Sequence, residues 1–333
     1  MDVQTSLTAP TLNDVYIARE RIAPHLSRTP LLRHPLLDEA TGLSIWVKHE
    51  NHNPTCAFKV RGGVNLIASL ALDERKQGIV TASTGNHGQS IALACRLHGV
   101  ACTVFVPEGN NPEKNAAMRA YGATLDEGGR DFDEARERCE ERARTTGARY
   151  VHSANEPELI AGVGTYALEL FEELPNVDVI FVPIGGGSGA CGLITVRNAL
   201  GSRARIIGVG AKNADAIYRS WKGPERVVGA AADTFAEGIA TRVTFDLPFG
   251  IYRQYLDDFM LLSEDELAEG VRLALRSTHN LAEGAGSAAL MAAYLRRADL
   301  VGSRVACIMS GGNIDRAKLQ MVLGAASAEA PAG

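Results

Sequence analysis

No two of the six cysteines (Cys56, Cys95, Cys102, Cys139, Cys191 and Cys307) stand in a CxxC spacing, and the histidines form no run at metal-ligand spacing. A disulfide framework is therefore not expected, and neither is a zinc site. Nowhere do 18 uninterrupted apolar residues occur, and the opening "MDVQTSLTAPTLNDVY" lacks a basic stretch followed by an apolar one. Neither a membrane span nor a secretory leader is expected. Positive charge is also in short supply: the net charge is -5, with no clustered basic surface of the kind that phosphate backbones require. Nucleic acid is thus a poor partner, and no repeat of fixed period suggests a solenoid. What is present is 46% hydrophobic and 22% charged residues, with 34 glycines, over 333 positions. That is the profile of a cytoplasmic α/β enzyme with a small-molecule partner.

Short apolar runs alternate with helix-period segments. The runs are "LSIWVKHE", "GIVTAS", "ACTVFVP", "GATLDEG", "ARYVHS", "VDVIFVPI", "ARIIGVG", "DFMLLS" and "RVACIMS"; between them lie patterns such as "NHGQSIALACRLHG" and "FDEARERCEERARTTG". Strands alternating with helices of ten to fifteen residues imply βαβ units, so the expected fold class is α/β with parallel sheets flanked by helices. Ser263 with Glu266 predicts a capping box, and Gly99 and Gly122 predict left-handed helix stops. The stretch "PTCAFKVRGG", residues 54–63, shows no period of either kind, and residues 326–333 are small, unpatterned and expected to be disordered.

Three glycine-rich or polar turns follow strands, where parallel α/β sheets place their ligands. In "VPIGGGSGACGL" a buried strand runs into Gly185, Gly186, Gly187, Ser188 and Gly189 and then a helix, so consecutive N–H groups can cup a phosphate. The spacing does not fit GxGxxG with a ribose-binding acid on the next strand, and there is no GxxxxGK[ST], so dinucleotide and P-loop readings both lose support. In "STGNH", Ser83, Thr84, Gly85, Asn86 and His87 offer hydroxyls, an amide and free N–H groups to a carboxylate. In "IMSGGNID", Ser310 stands at a strand tip. Lys59 completes the set, because an amine in a closed site can form a Schiff base with an aldehyde, and the cup supplies what a phosphorylated aldehyde needs. The pair points to pyridoxal 5'-phosphate.

Taken in order, "PTCAFKVRGG", "STGNHGQSIALA", "PIGGGSGACGL", "EGAGSAAL" and "MSGGNID" resemble the motifs of the fold-type II pyridoxal-phosphate enzymes, which share the architecture of the tryptophan synthase beta subunit. The resemblance is to the branch of serine and threonine dehydratases and serine racemase. It implies Lys59 as the Schiff-base lysine and catalytic base, its amine weakened by burial and by cationic surroundings. Phe58 would pack near the ring, Asn86 would meet the ring hydroxyl oxygen, and Ser310 the ring nitrogen. Gly185 to Gly189 would hold the phosphate, with Gly238 and Glu283 also on the cofactor. Ser83, Thr84, Gly85, Asn86 and His87 would receive the substrate, with Thr84 as a second catalytic group. A large cofactor-binding domain (1–75 and 153–325) and a small mobile domain (76–152) are implied, as is a homo-oligomer, dimer or tetramer.

The implied activity is dehydration of an L-β-hydroxy amino acid to a 2-oxo acid and ammonia, with a serine racemase-like isomerase and a non-catalytic binding protein as alternatives. Two departures bear on this. Cys56-Ala57 replaces the usual Gly-Ser, which either makes the site wall less polar, admitting a substrate such as threo-phenylserine, or is a neutral packing change. In "GVGAKNADAIY", Gly210 and Ala216 stand at the two positions where metal-activated relatives carry acidic residues, with Ala214 between them supplying only a backbone carbonyl, so no divalent-metal dependence is expected at this site.

Overall fold

The computed structural model describes residues 7–324. Among them, ten strands form two sheets: β1 (Leu31–Arg33), β2 (Ser44–His49), β3 (Ile79–Ala82), β4 (Cys102–Val106), β5 (Thr124–Glu127), β6 (Arg149–Tyr150), β7 (Val179–Pro183), β8 (Arg205–Ala211), β9 (Asp258–Leu262) and β10 (Arg304–Met309). The first has the order β1-β2-β10-β7-β8-β9 and the second β5-β4-β3-β6. Every pairing is parallel except β1 with β2. Helices cover both faces, which is why β3 and β7 read as continuous apolar runs: their side chains are buried on either side. Each apolar run forms its strand. The three-residue edge strand β1 was not expected, being too short and too exposed to carry a pattern.

The expected helix ends also form. Ser263 accepts from the Glu266 N–H while the Glu266 carboxylate takes the Ser263 N–H, and Gly99 and Gly122 sit at φ +65° and +98°. The aperiodic stretch around Lys59 is corrected, because a helix begins at Lys59 and runs to Ser69. Val60 to Ile67 are all buried, so no amphipathic stripe exists to be read. The helix packs on Pro157–Glu173, which is itself buried almost all round. A Cβ on Gly162 would lie 2.5 Å from the Arg61 carbonyl oxygen, and one on Gly62 2.8 Å from that of Leu159. Only glycine permits this approach, and it carries Lys59 deep into the molecule.

Arg61, fully buried, anchors the same helix. Its guanidinium donates to both Glu50 oxygens (2.7 and 2.9 Å), to both Glu169 oxygens (2.7 and 2.9 Å) and to the hydroxyls of Thr29 and Thr165. Lys48 Nζ donates to Glu169 Oε2 at 2.6 Å. Two cations and two anions thus share a dry site with their hydrogen-bonding capacity used, the condition under which buried charge is tolerated. No helix among the described residues is long and apolar enough to cross a membrane. Residues 326–333, expected to form a disordered tail, lie outside the described residues.

Candidate active site

β10 lies between β2 and β7, so the turn at Ser310, the segment leading from β2 to Lys59 and the turn at Gly185 meet at the carboxyl ends of adjacent strands. Hydrogen bonds stitch them together. Phe58 N–H donates to the Ser310 carbonyl at 3.1 Å, Gly312 N–H to that of Cys56 at 2.9 Å, and Glu283 N–H to that of Gly311 at 3.1 Å. A Cβ on Gly286 would stand 2.0 Å from the Gly311 carbonyl oxygen, so "EGAGSAAL" and "MSGGNID" interlock through glycine. The second sheet contributes the turn after β3.

Lys59 Nζ donates to Ser188 Oγ at 3.2 Å and to the Ser153 carbonyl at 3.4 Å, and lies 5.4 Å from the centre of the Phe58 ring. Burial pulls the amine from the usual lysine range down to about 8. The expected help from neighbouring cations is absent; desolvation is the whole cause.

Between β7 and the helix Ser188–Ala199, the N–H groups from Gly185 to Ala190 have no acceptor among the described residues, and no side chain caps the helix. Gly187 is left-handed at φ +93°, and a Cβ on Gly185 would lie 2.2 Å from the Gly238 carbonyl oxygen. The buried Tyr252 ring packs against Gly187, and its hydroxyl has no partner among the described residues. Unsatisfied donors gathered at a helix N-terminus, beside an amine, suit a phosphate-bearing aldehyde. The residues fit the cofactor that the motifs imply.

Asn86 sits at the junction of the sheets. Its Nδ2 donates to Glu283 Oε1 at 2.7 Å and its Oδ1 accepts from Asn313 Nδ2 at 2.7 Å. Glu283 is buried, and desolvation raises its pKa against the opposing pull of Lys114. Ser310 is buried with Oγ 3.5 Å from the Ala285 carbonyl.

In the turn after β3, Ser83 Oγ accepts from the N–H groups of Gly85 (3.2 Å) and Gly88 (2.9 Å), so its oxygen shapes the loop. The N–H groups of Thr84, Asn86 and His87 have no acceptor among the described residues. The His87 imidazole points away into the core, its Nε2 3.0 Å from Thr81 Oγ1, and burial drives its pKa to about 3. What His87 presents at the turn is its backbone N–H.

Ala57 is fully buried and forms a β-bridge with Gly311. Cys56 is exposed at φ +52°. Gly210 ends up in β8 and Ala214 and Ala216 just beyond it, and no group of three or more His, Cys, Asp or Glu among the described residues is arranged to hold a metal. Lys114, Ser153, Tyr252 and Asn313 are site residues that the sequence does not single out: no strand-turn pattern marks Lys114 or Tyr252, and Ser153 and Asn313 stand only as ordinary residues, one at the end of "ARYVHS" and one within "IMSGGNID".

A family model described as pyridoxal-phosphate dependent enzyme matches residues 22–311, so the chain belongs to that family, adopts its fold-type II α/β architecture and is pyridoxal-phosphate dependent. It is 38% identical over 307 residues to an L-threonine ammonia-lyase of Thermotoga maritima, covering 92% of this chain and 76% of that one. A crystal structure of a threonine deaminase from T.th. superposes with a TM-score of 0.87 at 33% identity, covering 92% and 99% of the two chains. Maize serine racemase superposes with a TM-score of 0.89 at 27% identity, covering 96% and 98%.

Proposed function

We propose that the protein is a pyridoxal-phosphate-dependent lyase that converts an L-β-hydroxy amino acid of the threonine and serine type to a 2-oxo acid and ammonia. The observation that carries this reading is a weakened lysine amine in contact with Ser188, within the run of unsatisfied N–H groups at Gly185–Ala190, in a chain whose β3 turn leaves the N–H groups of Thr84, Asn86 and His87 unsatisfied as well. When bound, the cofactor supplies an aldehyde for amines and a ring that delocalises electrons from Cα.

The chain's own residues do the rest. The glycine turn holds the phosphate, and the N–H groups of the β3 turn hold the α-carboxylate, which orients Cα toward Lys59. The neutral Lys59 Nζ removes the Cα proton; its depressed basicity keeps a usable neutral fraction near pH 8. The Cβ–O bond breaks and the hydroxyl leaves as water once protonated. The released enamine takes up water and hydrolyses to the oxo acid and ammonia. Asn86 and Ser310 would hold the ring, with Ser310 offering a neutral hydroxyl, and not a carboxylate, to the ring nitrogen. Closure of residues 76–152 over the cleft excludes water. Thr84, whose hydroxyl has no hydrogen-bond partner among the described residues, is the group positioned to act as a second proton donor.

The relatives' names favour threonine. L-threo-phenylserine is the finer alternative, supported by the His152–Phe245 edge-to-face pair, ring centres 4.9 Å apart, beside Ser153 whose carbonyl Lys59 contacts. The test is 2-oxo acid release by the cofactor-loaded protein, with a chelator, on L-threonine, L-serine and L-threo-phenylserine in parallel. Turnover of one or more supports the lyase; no oxo acid with D-amino acid accumulating would assign an isomerase instead.

A further inference from the structure

Five side chains form a closed ring between the helix Pro112–Ala120, which follows β4, and elements attached to the first sheet. Lys114 Nζ donates to Glu237 Oε2, and Lys318 Nζ donates to Glu237 Oε1. Lys318 Nζ also lies 3.2 Å from Asp315 Oδ2, which accepts from Asn111 Nδ2 at 2.9 Å. Asn111 returns to Lys114 through the helix cap, its Oδ1 accepting from the N–H groups of Glu113 (2.9 Å) and Lys114 (3.2 Å). Charges alternate round the ring and sum to zero. Two attachment points one helical turn apart hold the helix against both sliding and rotation.

The ring touches the site at two places. Lys114 runs under the carboxylate turn: a Cβ on Gly85 would lie 3.6 Å from its Cδ and 3.7 Å from its Nζ. Glu237 precedes Gly238, whose carbonyl oxygen abuts Gly185 in the phosphate turn. The side chain of Lys114 is only 10% exposed and that of Asp315 7%, whereas Glu237 at 38% is within reach of solvent and salt.

We propose that Glu237 is a positioning residue that clasps the β3–β6 unit to the first sheet through Lys114, fixing the carboxylate turn relative to the phosphate turn. It touches neither substrate nor cofactor; it acts by holding Lys114, and through it Gly85, in register. Lys318 and the Asp315–Asn111 bond are the second strap. Only the kinetic arm of the test rests on the dehydratase reading.

The experiment uses the cofactor-loaded protein and its Glu237→Gln, Glu237→Asp and Lys318→Met variants, with amide hydrogen exchange followed by mass spectrometry in the absence of substrate. In Glu237→Gln, exchange in residues 83–87 and 112–120 should rise about threefold to tenfold, with β7 and β10 unchanged, because only the local opening is made easier. Raising NaCl from low to about 1 M, where the screening length falls to about 3 Å, should move the wild type in the same direction and leave Glu237→Gln where it is. Glu237→Asp should restore part of the protection, and Lys318→Met should show a smaller rise. In turnover, KM should increase about fivefold or more with kcat within about twofold, the signature of lost ground-state positioning. Unchanged exchange in Glu237→Gln overturns the proposal whatever the activity does, and so does a fall in kcat at constant KM. If Glu237→Gln does not fold, Lys318→Met decides on the same readout. Absence of turnover in the wild type would overturn the dehydratase reading alone and leave the exchange result standing.

Discussion

Lys59 owes its chemistry to its surroundings. With its amine lowered to about 8, about a quarter is neutral at pH 7.5, against about a thousandth for a free lysine side chain. The rate at which cofactor-free protein captures pyridoxal phosphate, followed by absorbance, should therefore climb as pH rises through about 8 and level off above it; a rise continuing beyond pH 10 would contradict the depressed value. Lys59→Ala should abolish both capture and turnover. Three residues away, Cys56 holds its place at the cost of a left-handed backbone, φ +52°. Glycine meets no Cβ conflict there, so Cys56→Gly should stabilise the fold by about 1 kcal/mol, read as a higher denaturant midpoint, whereas a β-branched residue at 56 should lower it.

The helix Lys59–Ser69 is the element on which the site depends, and two features locate it. One is glycine-mediated contact: Gly162→Ala would drive a methyl group to 2.5 Å from the Arg61 carbonyl and should cost about 1–3 kcal/mol by forcing the helices apart. The other is the buried cluster of Arg61, Lys48, Glu50 and Glu169. Arg61→Met leaves two carboxylates in a dry site with only Lys48 as counter-charge, and the expected loss is about 3–5 kcal/mol. Thermal or denaturant unfolding of the loaded protein measures both. An Arg61→Met variant as stable as wild type would show that water reaches the cluster and solvates it.

Acid sensitivity belongs to the molecule as a whole, because the fold keeps several histidines neutral. His49 is lowered to about 3, first by burial and then by repulsion from His52 and His34; His87 is lowered to about 3 and His152 to about 4, with burial again the main cause. A histidine with a depressed folded-state pKa binds fewer protons folded than unfolded, so its contribution is complete above about pH 6.5 and is lost as pH falls toward the folded values. Glu169 and Asp315, held below the usual carboxylate range, add to the loss lower down, while the raised Glu283 and Glu156 oppose it. The unfolding midpoint should drop steadily from about pH 6.5 to about 4.5; a flat profile over that window would mean that these imidazoles are solvated or charged. His34 and His49 show how the fold creates such a cluster: their Nε2 atoms lie 2.9 Å apart, and the ring of His52 stacks on His49 at 4.9 Å.

The sequence by itself determined the α/β class, the expected strands, the helix caps and the places of the glycine turn after β7 and the polar turn after β3, because each rests on short-range physics: alternation of apolar runs, a side chain capping its own helix, and glycines between a strand and a helix. It also singled out Lys59, although the helix beneath it was illegible, since an element buried on all sides carries no stripe and a glycine pair argues against helix until its close neighbour is seen. Only the tertiary structure decided what depends on residues far apart in the chain. The shift of the Lys59 amine comes from desolvation by folded neighbours, Ala57 bridges to Gly311, His87 turns its imidazole into the core, and Lys114 finds Glu237 across 123 positions. Burial and long-range charge pairing are properties of the folded chain, and no local pattern encodes them.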